Sequence, residues 1–395
     1  MRTLGNRNVL LISVLITGAV VAAAVITILS SGNTNTPDLN RGSLLEDPLD
    51  IVTSSPRNTN TSDLNRDLLL EEPLDIVTSS PRNTNTSDLN RDLLLEERLG
   101  FSADVQGGYD GVSYVVTSLD DNGQGTLRDA LESSEPQWIT FAIDGTIELA
   151  SPIRVQSYKT IDGRGAKITI VDYGLAIYDA TDVIVTNITI RDGAPDTKDA
   201  IEVLRSDQVW IHHVTLANFP DGLVDIRRAD PTTYITVSNS RFQNHDKVSI
   251  VGLHEPEAPG DDQIYATFAN NYFAGNTVQR HPRVAQAYAH LYNNVIEWSN
   301  YGVASFDRGR VFSERNWYVA PDTNKKTATR LVHGGYAGNY LIPDGYLKSQ
   351  DDRVENGAII TTAQANLVDT PGYEYSPKST SLRNKEFIMN NAGAR

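Results

Sequence analysis

From Gly100 onward, short runs of alternating apolar and polar residues recur, separated by polar loops that contain Gly or Pro. They are Ile168-Thr169-Ile170, Val183 to Ile190, Val209 to Leu216, Ile235 to Phe242, Ala266 to Phe273, His290 to Ile296 and Val311 to Tyr318. β-Branched and aromatic residues fill these runs, and long amphipathic helical periodicity is scarce, so the pattern predicts strands. Aligned on their local pattern, the runs place Asn187, His213, Asn239, Asn270 and Asn293 in register, at steps of 26, 26, 31 and 23 residues. One coil per roughly 20 to 30 residues is the repeat of a parallel β-helix, with coils stacked about 4.8 Å apart. Asn side chains at equivalent turns of such a stack are expected to form an interior hydrogen-bonded ladder. Residues 100–395 are therefore read as an all-β domain.

The first hundred residues follow other patterns. Val9 to Leu29 carries no charge and is rich in Val, Ile, Leu and Ala. As a helix it would span roughly 30 Å, the thickness of a bilayer core. Arg2 and Arg7 precede it, which favours an inner N-terminus and an exported body. Ala22-Ala23-Ala24 would suit signal cleavage, but the run exceeds a typical signal core, so residues 1–32 are read as an uncleaved membrane anchor. A 25-residue repeat follows, with copies starting at Asn33, Asn58 and Asn83. Polar, Pro-punctuated and free of aromatic residues, residues 33–99 are read as a disordered, flexible stalk whose Leu-rich patches can form short helices.

Charge and cysteine content narrow the partners. The chain of 395 residues has a formal net charge of −16, and the stalk holds 13 acidic against 6 basic residues. Nucleic acid is excluded as a partner, since it calls for a basic stripe. An anionic glycan would need local positive charge or a bridging metal ion. With no cysteine, disulfides, zinc–thiolate sites and thiol catalysis are absent.

Coil spacing then gathers candidate chemistry. Asp199 and Asp221 are 22 residues apart, as are Asp225 and Lys247, so all four are expected on one outer surface. Arg280 lies one longer coil beyond Lys247. The carboxylates offer hard oxygen ligands suited to calcium.

Several motifs carry a family resemblance. Tyr114-Val115-Val116-Thr117, Gly125-Thr126-Leu127-Arg128 and Thr160-Ile161-Asp162-Gly163-Arg164-Gly165-Ala166 open it. Val209-Trp210-Ile211-His212-His213, Asp221-Gly222-Leu223-Val224-Asp225 and His245-Asp246-Lys247-Val248 continue it. Gln279-Arg280-His281-Pro282-Arg283 and Asn391-Ala392-Gly393-Ala394 complete it. In this order they resemble the pectate lyases of polysaccharide lyase family 1, over roughly residues 100 to 395. The resemblance implies a right-handed parallel β-helix and calcium-dependent β-elimination on polygalacturonate, an acidic polysaccharide substrate. It implies that Asp199, Asp221 and Asp225 are calcium ligands, that Lys247 binds a uronate carboxylate, and that Arg280 is the catalytic base at carbon 5, the alternative being that Arg280 stabilises the developing enolate while hydroxide takes the proton. A secreted or membrane-anchored monomer is expected.

Two positions depart from the family pattern. The family's Arg-x-Pro-x-x-Arg ends here in Ala285, which leaves Arg283 as the nearby candidate for substrate contact. The usual Asp of Trp-Ile-Asp-His is His212. His213 and His245 are read as ladder or core histidines and Trp210 as core. Two other readings stand beside the first: a lyase for a different uronate polymer, and a non-catalytic glycan-binding adhesin.

Overall fold

Six of the seven apolar runs expected as strands in fact form two strands that meet at a bend, while Ile168-Thr169-Ile170 lies within the single strand Ile168–Asp172. The structure, a computed structural model, describes residues 86–253, 261–331 and 345–395. The Val9 to Leu29 run and the first two repeat copies lie outside the described residues. Among those described, no helix is long and apolar enough to cross a membrane.

The bends explain the register. Asn187, His213, Asn239, Asn270 and Asn293 all adopt left-handed backbone conformations, with φ between +49° and +56°. Asn tolerates this region because its short polar side chain bonds locally. At the Asn187 bend, for example, the run splits into strands Thr181–Thr186 and Thr189–Gly193. One coil thus supplies a strand to each of three sheets in turn, as Asp207–His212, Thr215–Ala217 and Gly222–Arg227 do. Among the described residues, the strands build one ten-stranded and two nine-stranded sheets. Their ladders pair neighbouring coils in parallel, and the result is an all-β parallel solenoid.

The expected Asn ladder exists, one position further along. Ser240 N donates to Asn271 Oδ1 (2.9 Å), Asn271 N to Asn294 Oδ1 (3.0 Å), and Asn294 N to Asn316 Oδ1 (2.8 Å). Asn316 N donates to Asp352 Oδ1 (2.8 Å) and ends the row. The left-handed residue turns the chain, and the residue after it carries the inward side chain.

Inside the solenoid, apolar side chains stack in columns. Val183, Val209, Ile235, Ala266, Ala289, Val311 and Leu347 are register partners and are fully buried. Phe242 and Phe273 stack beside them at 4.7 Å. Helix Leu127–Glu132, N-capped by Thr126, buries Leu127, Ala130 and Leu131 in the same core.

The third repeat copy differs from the stalk reading. Thr86–Leu95 is a helix, and its Leu94 and Leu95 pack against Val105, Trp138, Ile184 and Trp210. The indole and aliphatic surface that the ten-stranded sheet turns outward gives this segment a seat. The folded body therefore takes in residues that the repeat pattern assigned to the stalk.

The ladder's last member makes stability depend on pH. Burial pushes the Asp352 carboxyl up to about 6, even though it accepts hydrogen bonds from Ser313, Ser349 and Asn316. The unfolded chain loses this proton near the ordinary value of 3.8. Between the two values the folded state holds more protons, so stability falls as pH rises through that window and levels off above it. Asp352→Asn keeps an oxygen for Asn316 and is expected to remove this decline. It should add on the order of 2 kcal/mol at pH 8 relative to pH 4. Denaturant titrations at both pH values check this, and an unchanged pH difference refutes it.

Candidate active site

The acidic residues come from two adjacent coils of one nine-stranded sheet. Asp199 precedes strand Ile201–Leu204, Asp221 precedes strand Gly222–Arg227, and Asp225 lies within that strand. Asp199 is buried, and its Oδ1 accepts from Gly222 N at 2.7 Å. Asp225 is buried too, and its Oδ1 accepts from Ile250 N at 3.1 Å. A Cβ at Gly222 would lie 2.4 Å from Asp225 Oδ1 and 2.8 Å from Asp199 Oδ1. Glycine at this position is what lets the two carboxylates converge.

That convergence is electrostatically costly. Burial pushes the Asp225 carboxyl well above the usual carboxylate range, and the charge of Asp199 adds to the effect. Asp199 is raised by the same two causes, burial first and then its acidic neighbour Asp221. Two buried acids facing one small space form a site that a cation would stabilise.

Asp221 is oriented differently. Its Oδ1 accepts from Lys247 Nζ at 2.9 Å, and both side chains are partly exposed. Lys247 lies on strand His245–Val251, where its register partner is Gly222. The partner of Asp225 is Ile250, so the expected pairing of Asp225 with Lys247 is off by three residues. The longer loop between the two coils shifts the frame. All four residues nevertheless belong to one sheet, as the coil spacing implied.

Arg280 sits between strands Thr277–Gln279 and Arg283–Ala285. Its φ of +66° turns the chain sharply between them. Its Nε is buried and has no hydrogen-bond partner among the described residues. A buried guanidinium nitrogen left unpaired is costly unless a ligand completes it. The positive charge of Arg280 also reaches Asp225, whose carboxyl it holds lower than burial alone would.

Arg283 follows Ile250 in register, which extends the column from Asp225. Val284 points into the core, so Arg283 and Ala285 share the outer face. Phe306 binds the two together. Its ring lies 4.3 Å from the Arg283 guanidinium carbon and packs on Ala285.

Similarity to known proteins now bears on this geometry. A family model described as pectate lyase matches residues 143–395. A putative pectate lyase 17 of Arabidopsis thaliana is 38% identical over 288 residues, covering 63% of this chain and 72% of that one. The chain belongs to the pectate lyase family. The crystal structure of the major cedar pollen allergen jun a 1 is 28% identical, with a TM-score of 0.69, covering 79% of this chain and 97% of that one. A pectate lyase from Bacillus sp. N165 in complex with trigalacturonate shares the fold at 23% identity. Its TM-score is 0.56, and the match covers 75% of this chain and 98% of that one. The protein is accordingly a polysaccharide lyase.

In this pectate lyase, two further side chains support the candidates. His245 Nε2 donates to the carbonyls of Asp221 (2.8 Å) and Lys247 (3.0 Å), while its Nδ1 accepts from Phe219 N (3.4 Å). These bonds assign the proton to Nε2 and keep the ring neutral, as burial also does. His245 thus pins the backbone at both members of the Asp221–Lys247 pair, which goes beyond a core role. Arg227 pairs with Glu202 beside the buried acids. Nothing in the motif spacing signals either contact, because both depend on lateral register. Trp210 is buried, as expected, and so are His213 and Asn187.

Proposed function

We propose that this pectate lyase cleaves polygalacturonate by β-elimination with the help of calcium. The observation that carries the reading is the meeting of two buried carboxylates at Gly222 with Lys247, Arg280 and Arg283 on adjoining coils of the same sheet. Asp199, Asp221 and Asp225 would hold the ion, since their hard oxygens suit it. When bound, calcium would neutralise uronate carboxylates and make the proton on carbon 5 more acidic.

The chain's own residues divide the remaining work. Lys247 exchanges Asp221 for a substrate carboxylate, which frees Asp221 for the metal. Arg280, whose buried Nε has no hydrogen-bond partner among the described residues, would stabilise the charge that develops as a solvent hydroxide takes the carbon-5 proton. The bond from carbon 4 to the glycosidic oxygen then breaks, a double bond forms between carbons 4 and 5, and the leaving oxygen takes up a proton. Arg283, stacked on Phe306, supplies the carboxylate contact that Ala285 lacks.

We also infer a three-part chain: an N-terminal anchor at 1–32, a repeat stalk, and a monomeric lyase body displayed outside the membrane. The Val9 to Leu29 run supports export.

The full-length protein, incubated with polygalacturonate at alkaline pH, should release product absorbing in the unsaturated-uronate band. That signal should fall to background with a chelator and return with calcium. Product formation that ignores the chelator removes the metal role of the aspartates. Binding without product supports the adhesin reading. Product from another uronate polymer alone would trace to Ala285.

A further inference from the structure

Where the family motif has an acid, this chain has His212, and the structure places a second histidine and a glutamate beside it. Each of Glu97, His212 and His213 offers one ligand atom, and these three atoms lie within 4.8 Å of one another. His212 Nε2 is 3.0 Å from Glu97 Oε2. The far nitrogens of both rings are already engaged: His212 Nδ1 by Ser238 Oγ at 2.9 Å, and His213 Nδ1 by the Gly393 carbonyl at 3.1 Å. Ser238 Oγ in turn accepts from Trp210 Nε1 at 2.9 Å. Metal-binding histidines are held in this way, with the remote ring nitrogen fixed by a carbonyl or oxygen partner. A cavity of about 150 Å3 opens onto the group and is also lined by Asn187, Arg164 and Arg395. Asp162 neutralises Arg164 at 2.7 Å, while Arg395 contributes an opposing charge that moderates affinity.

We infer that Glu97, His212 and His213 bind a transition-metal dication of the zinc class. Two imidazoles and one carboxylate, with room for a water, match zinc, whereas calcium prefers an all-oxygen shell. Glu97 has about half of its side chain exposed (52%) and is the ligand free to close on the ion. His212 would shift from its Nε2–H to its Nδ1–H tautomer, with Nδ1–H then donating a hydrogen bond to Ser238 Oγ. The bound ion would clasp the turn after the Thr86–Leu95 helix to the ten-stranded sheet and, through His213, to the Gly393 carbonyl.

The test uses the full-length protein, stripped of metal, saturated with calcium and then titrated with zinc in a calorimeter. Cobalt serves as a visible-absorption probe of tetrahedral nitrogen and oxygen coordination. About one equivalent of zinc should bind with a rise in thermal midpoint, and cobalt should give the tetrahedral spectrum. Glu97→Gln sits at the surface, and His213→Asn installs the residue that Asn187 and Asn239 supply on the flanking coils, so both should fold. Each is expected to lose zinc binding, and Ser238→Ala should weaken it about 10- to 100-fold. Absence of zinc binding in the wild type, or unchanged binding in either ligand variant, overturns the inference.

Discussion

Arg280→Ala should lower the rate of unsaturated-product formation by about 10²- to 10³-fold, the usual effect of removing one preorganised stabiliser of developing charge. The buried Nε without a partner among the described residues is the reason. Arg227 Nε is likewise buried without a described partner, but Arg227 pairs with Glu202, whereas Arg280 lies on the coil next to Lys247. The loss should fall mainly on kcat, because the charge it answers develops only as the carbon-5 proton leaves. Arg280→Lys tells charge from geometry: a point charge should recover part of the rate, and the planar fork the remainder. Removing the guanidinium also withdraws a positive charge from Asp225, so calcium should bind somewhat more tightly in Arg280→Ala, because the ion becomes the main counter-charge. Steady-state kinetics with calcium saturating, backed by circular dichroism to verify the fold, make the measurement. An Arg280→Ala enzyme with wild-type kcat would falsify the assignment.

Asn294→Leu should strongly destabilise the solenoid. Asn294 is fully buried. Its Oδ1 accepts from Asn271 N, while its Nδ2 donates to Phe268 O and Asn316 Oδ1, each at 2.8 Å. Leucine matches its volume roughly but takes this side-chain partner from Asn271 N and Phe268 O away from water, at about 1–3 kcal/mol each, while Asn316 Oδ1 keeps the Asn294 backbone N–H. The total loss is expected on the order of 4 kcal/mol. Asn239→Ala, at the bend two coils earlier, loses no interior partner and should cost far less. Thermal or chemical unfolding of both variants decides the matter: equal losses would mean that the bend and not the ladder holds the row together.

This contrast shows what was readable in the chain and what was not. The recurrence of Asn187, His213, Asn239, Asn270 and Asn293 was visible as a pattern, and their shared register is real. Their task was misassigned by one residue, because a left-handed bend and an inward ladder position occupy neighbouring places and both favour Asn. Only the fold shows that Asn271, Asn294 and Asn316 face inward. The motif around Asp221 and Asp225 likewise marked the acids, and coil spacing marked their sheet. It gave no sign that Gly222 holds two of them together.

The sequence by itself determined the β-solenoid, because stacked coils demand a short apolar repeat and that repeat is written directly in the chain. It also determined the family and the candidate acids and cations, since these depend on residue type and order. The tertiary structure alone decided which of these residues meet. Lateral register depends on the length of every intervening loop, and one shift moves Asp225 from Lys247 to Ile250. It also decided that a helix from the repeated segment docks on the solenoid and brings Glu97 to two histidines more than a hundred residues away. Long-range contacts of this kind arise from surfaces that exist only after folding, so no local pattern encodes them.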